Sequence, residues 1–174
     1  TKLVDTAENK VYLAVDVDSN NVGTPQGFPD GTPYYADNLF DELRLGVIFG
    51  IVQNNISEAT WTNLDKKSAT CLIDGGVSLN TLKSGNGAMF QAFLPSIFFK
   101  EADWSKDSDG SLNGFGVALK NFVLVQDYFA RTNGLPSLLS SAMNPYTESG
   151  YGEFGVAALA AYPASENVCA PYAS

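Results

Sequence analysis

The sequence predicts an α+β fold: a compact single domain over residues 1–174, with antiparallel β-strands packed against one main amphipathic helix from about 115 to 131. Three observations lead there. Phe115, Ala118, Leu119, Phe122, Val125 and Phe129 recur at helical spacing. Val11, Leu13, Val15 and Val17 alternate with Tyr12, Ala14, Asp16 and Asp18, the period of a half-buried strand. Two short segments, Ser68 to Ile73 and Val77 to Leu82, are separated by Asp74-Gly75-Gly76 and followed by Ser84-Gly85-Asn86-Gly87, the punctuation of paired strands. At 45% apolar and 17% charged residues the chain can close a core, and no linker interrupts it.

The elements follow in order. Lys10 to Asp18 is the first strand, one face aliphatic and the other ending in Asp16 and Asp18. Ser19 to Gly31 gathers Gly23, Pro25, Gly27, Pro29 and Asp30-Gly31 and predicts a loop. Thr32-Pro33 then opens a helix, Thr as N-cap and Pro at N1, with Tyr35, Leu39, Phe40 and Leu43 near one face and Gly46 as its stop. Val47 to Val52 is a continuous apolar run, read as a buried strand with helix continuation as the alternative. Asn54 to Lys67 is polar around Trp61.

Ala88 to Lys100 carries Phe90, Phe93, Phe98 and Phe99 around Pro95. The proline opposes both an uninterrupted helix and a central strand, so buried irregular or strand-like structure is expected, with an aromatic ligand pocket as the sharper alternative. In the main helix, the β-branched Phe-Val-Leu-Val centre leaves a strand as the alternative, and Asn133-Gly134 ends the element. Pro136 begins a short helix that Asn144-Pro145 closes, and Val156 to Tyr162 is an apolar strand or helix. The echo of residues 115–119 in 154–159 has unmatched flanks and is no repeat.

Charge and composition exclude much chemistry. The net charge is −9, the arginines are Arg44 and Arg131, and Lys66-Lys67 is the one adjacent basic pair, so nucleic acid and anionic membrane surfaces are poor partners. No apolar run of about 18 residues appears, which argues against membrane insertion. With no histidine, Ser-His-Asp triads, Cys-His dyads and His-ligated zinc or haem are excluded. Cys71 and Cys169 cannot complete a usual zinc site. They are either buried thiols or a disulfide closing a loop of roughly 100 residues, worth about 4–5 kcal/mol. The Gly85-Asn86-Gly87 turn lacks the lysine and helix of a phosphate loop. A start at Thr1, with no signal-peptide pattern, is the pattern of a processed or trimmed chain.

The best candidate site is a calcium loop. On a twelve-position EF-hand register, Ser105, Asp107 and Asp109 supply oxygen ligands, Gly110 the sharp turn, Leu112 the apolar position and Asn113 the ninth. The register fails at position twelve, which is Gly116 rather than a bidentate Glu, although Asp103 lies nearby. A polar turn capping the following helix accounts for the same residues. Asp16, Asp18 and Asn20 form a second acidic group, read first as a wet strand end. Glu42, Glu58, Glu101, Glu148 and Glu153 have no context that singles one out.

The expected function is a non-enzymatic structural subunit, secreted, surface or particle-forming, that self-associates into a homo-oligomer and resides outside the cell or on a surface or particle. A neutral polar coat and Tyr-rich loops, Tyr34-Tyr35 and Tyr146 to Tyr151, favour it. The alternative is a cation-assisted module that binds carbohydrate or another small ligand, using calcium near Asp107 and Asp109 with Trp61, Trp104 and Tyr34. A carboxylate-based hydrolase is third.

Overall fold

The computed structural model describes residues 3–17, 22–104, 114–143, 150–164 and 170 of the chain. They fold as α+β, with small antiparallel two-stranded sheets and one main helix. Backbone proximity groups the chain into two units, Thr1–Leu39 with Leu43–Asp65, and Phe40–Glu42 with Lys66–Ser174.

In the first unit, β1 (Val4–Asp5) pairs with β2 (Lys10–Val11), and β3 (Val15–Val17) pairs with β4 (Val22–Pro25) around an irregularity between Asp16 and Val17. The strand expected across Lys10 to Asp18 is therefore split. Tyr12 bridges Tyr35, and the Leu13 amide donates to the Tyr34 carbonyl, so this backbone pairs with a later segment and leaves Leu13 exposed. The expected loop after Ser19 contains β4, with Pro25 at the strand end, where its missing N–H does least harm.

Thr32-Pro33 does not open a helix. Pro33 bridges Gly27, and the Tyr34 amide donates to the Gln26 carbonyl at 2.9 Å, so this backbone is spent in extended pairing. Helix α1 instead spans Arg44–Val52 and absorbs the run read as a strand. Gly46 lies inside it, and Gln53 and the left-handed Asn54 end it through amide bonds to the Phe49 and Ile51 carbonyls. Helix α2 (Ala59–Thr62) follows, the Ser57 hydroxyl accepting from the Ala59 amide at 3.1 Å.

The second unit is built on the predicted hairpin. β5 (Ser68–Ile73) and β6 (Val77–Leu82) pair in register from Ser68↔Leu82 to Ile73↔Val77. Gly75 and Gly76 turn the chain at φ 70° and 74°, the left-handed region that glycine enters without strain. Helix α3 (Met89–Phe93) runs into a 3-10 turn over Leu94–Ile97, which corrects the irregular or strand-like expectation. Pro95 sits early in that turn, where its lost N–H is tolerated, and so breaks the helix without abolishing it.

Helix α4 (Phe115–Thr132) buries Ala118, Leu119, Phe122 and Val125, as the spacing required. Phe122 lies 5.5 Å from the Phe40 ring and 6.4 Å from Phe93, and Phe115 lies 5.6 Å from Phe40. The hairpin packs on the same helix, with the buried Thr81 hydroxyl donating to the Ala118 carbonyl at 2.7 Å. Asn133 and the left-handed Gly134 end α4. No helix begins at Pro136: the Leu139 amide and carbonyl are bonded to Gln126 and to the Met89 amide, which holds the segment open. β7 (Ala142–Met143) then pairs with β8 (Tyr151–Gly152), and Ala157–Leu159 forms one 3-10 turn. Asn144-Pro145 lies outside the described residues.

Candidate functional site

Asp41, Glu42 and Glu153 form an acidic group in the second unit. Phe40 has no exposed surface and is held by the rings of Phe115 and Phe122, and this anchors the turn that follows. Asp41 is consequently buried, its Oδ1 accepting from the Glu42 amide at 3.0 Å. Its Oδ2 faces Gly85, where an added Cβ would lie 2.6 Å from that oxygen and 2.9 Å from Gln91 Nε2. A residue larger than glycine at 85 would displace the carboxyl.

The Ser84-Gly85-Asn86-Gly87 segment is fixed from both sides. Gln91 Oε1 accepts from the Asn86 amide at 2.7 Å, and Asn86 Nδ2 donates to the Pro163 carbonyl at 2.9 Å. The Ala161 and Tyr162 amides donate to Ser84 and Gly85, and the Val156 amide donates to Gly87. The turn signal read from the sequence is thus a hydrogen-bonded wall beside a buried carboxyl.

Burial, followed by the hydrogen bond and charge of Glu42 and the charge of Glu153, pushes Asp41 up to about 8. Burial and the Glu42 charge raise Glu153 as well. Glu42 Oε2 is buried without a hydrogen-bond partner among the described residues. Close acidic groups in a dry setting do not all ionise together, so Asp41 holds its proton at neutral pH. Chemically the cluster stores a proton. No group of three or more His, Cys, Asp or Glu among the described residues could hold a metal ion.

No protein-family model matches the chain, and no curated protein matches it.

The calcium-loop residues Ser105, Asp107, Asp109 and Asn113 lie outside the described residues, as do Asp18, Asn20, Glu148 and Cys169. Asp16 is exposed, and its Oδ1 accepts from Gln26 Nε2 at 2.6 Å. Of the glutamates without sequence context, Glu42 and Glu153 join Asp41, Glu58 is exposed, and Glu101 is fully buried with the Ser96 hydroxyl donating to it at 2.6 Å. Cys71 is a free buried thiol, raised by desolvation.

The residues of the expected aromatic ligand set fall in both units. Trp104 packs edge-on to Phe115 at 5.4 Å in the second unit, whereas Tyr34, edge-on to Phe28 at 4.5 Å, and Trp61 belong to the first. In that unit Tyr35 donates to Asp5 Oδ2 at 2.8 Å, with Lys10 Nζ 4.9 Å above its ring. This bond lowers Asp5 and, with burial, pushes Tyr35 up to about 12.

The phenylalanine-rich stretch does form an open apolar groove of about 400 Å³, lined by Met89, Phe90, Phe93, Leu94 and Ile97. Among the described residues no helix is long and apolar enough to cross a membrane.

Proposed function

We propose that the chain is a non-enzymatic structural subunit that self-associates, at a surface, in a particle or outside the cell. One observation carries the reading. Large apolar side chains stand more than half exposed on separate elements of both units: Val52 and Leu72 at 67% each, Ile97 at 76% and Phe98 at 58%. Such side chains are common singly; we take these as parts of faces that become covered on assembly. On this reading the Asp41 carboxyl, which faces Gly85 close to Gln91, serves packing. Size-exclusion chromatography with light scattering tests the reading: a multiple of the 18.6 kDa chain mass is expected. A clean monomer at every concentration would sink it.

The groove on α3 favours a second reading, a module for a small apolar ligand. Its volume lies within the range of ligand clefts. Its two hydroxyls are already engaged, Ser96 with Glu101 and Ser140 with the Phe90 amide. A thermal-shift screen of uncharged apolar compounds should find stabilisers whose effect Leu94→Asp removes. An empty screen would count against it.

A further inference from the structure

Helix α1 buries its one charged side chain and leaves two large apolar ones exposed. Arg44 is fully buried with Val47 one turn on, while Phe49 and Val52 are exposed with Gly46 on the opposite side and Leu45 is half-buried at its edge. Surface helices ordinarily carry the reverse distribution. From Leu45 to Ser57 no residue is charged, in a chain of net charge −9. A Cβ built on Gly46 would meet nothing within 4 Å among the described residues, so another backbone can come close there.

We infer that this face is where two copies of the chain meet, α1 against α1 across a two-fold axis. Copies that each carry nine negative charges repel, and the cheapest contact is one to which neither brings a charge. A basic partner would find no carboxylate here to pair with. A two-fold contact sets the same apolar stripe against itself, and exposed Gln53, Asn54 and Asn55 provide a neutral polar rim. The inference rests on the self-association reading and assigns its first contact.

Sedimentation of the full chain over a concentration series tests it, comparing wild type, Val52→Lys, Gly46→Arg and, at an exposed polar position of the hairpin, Ser78→Lys. Wild type should dimerise or assemble further. Val52→Lys and Gly46→Arg should each weaken the dimer at least tenfold without lowering the melting temperature of the monomer, while Ser78→Lys leaves the dimer in place. Should Gly46→Arg fail to fold, Val52→Lys decides alone, because Val52 closes the helix and is well exposed. A wild type monomeric at every concentration overturns this contact and the self-association reading together. An assembly that neither α1 variant weakens overturns the α1 contact alone. Flotation of a monomeric wild type with neutral phosphatidylcholine vesicles, abolished by Val52→Lys, would give the face to a bilayer and overturn the inference.

Discussion

Gln126, with no exposed surface, donates from Nε2 to the Gly87 carbonyl at 2.6 Å. Its Oε1 accepts from the Leu139 amide at 3.0 Å. One side chain thus ties α4 to the turn beside Asp41 and to the extended segment that replaces the helix expected after Pro136. Gln126→Leu keeps the volume and strands the Leu139 amide, whereas the Gly87 carbonyl still accepts from the Val156 amide; one buried group left unmade costs about 1–3 kcal/mol. Urea denaturation should show a loss of about 1–3 kcal/mol. A loss below about 1 kcal/mol would mean that water replaces the amide.

The Asp41 carboxyl makes stability depend on pH in a stated direction. Its folded value, about 8, stands far above that of an unfolded aspartate. Between the two, the folded state keeps a proton that the unfolded state has released, so stability falls as pH rises. The contribution is complete below about pH 4 and is lost as pH passes through the folded value, at up to about 1.4 kcal/mol per pH unit. The raised Glu153 acts with the same sign. Urea midpoints from pH 4.5 to 8.5 should decline in wild type and flatten in Asp41→Asn; an unchanged slope in the variant would place the linkage elsewhere.

Two glycines of α1 should respond oppositely to alanine. Gly46 has helical backbone and open space at Cβ, so Gly46→Ala should stabilise by about 0.4–1 kcal/mol through the unfolded state and helix propensity. At Gly50 the added Cβ would lie 2.7 Å from Ile56 Cδ1, a side chain that must then move. Gly50→Ala should forfeit that gain and fall about 1 kcal/mol or more below Gly46→Ala. Melting below the assembly concentration checks the pair, and equal effects would contradict the Ile56 contact.

What was legible in the sequence was local. The β5–β6 hairpin needed Asp74-Gly75-Gly76 and two short strands, and α4 needed one apolar stripe, so both match the sequence periods. Thr32-Pro33 has the chemistry of a helix start, but the pairing of Pro33 with Gly27 and of Tyr35 with Tyr12 is long-range and overrode it. Displacing that helix also hid the candidate site. Glu42 had no sequence context that singled it out, and only the burial of Phe40 and the charge of Glu153, more than a hundred residues away, reveal it and Asp41 as one cluster. Adjacent acids behind a fully apolar Leu39-Phe40 step were the one available signal.

Exposed charge and tight backbone should separate sharply in cost. Arg131 binds Asp74 at 2.8 Å and Asp127 at 2.9 Å, with all three side chains about half exposed or more. Solvent screens such pairs, so Arg131→Ala should cost less than about 1 kcal/mol. Gly155 has no such latitude: a Cβ there would fall onto the Asn86 carbonyl oxygen and the Gly87 backbone. Neither neighbour can rotate away, because Gln91 holds the Asn86 amide and Gln126 holds the Gly87 carbonyl. Gly155→Ala should therefore cost about 3 kcal/mol or more and raise the exchange of the Asn86 and Gly87 amides. Hydrogen exchange with urea denaturation checks both variants, and a Gly155→Ala chain as stable as Arg131→Ala would show that the 84–87 turn is not rigid.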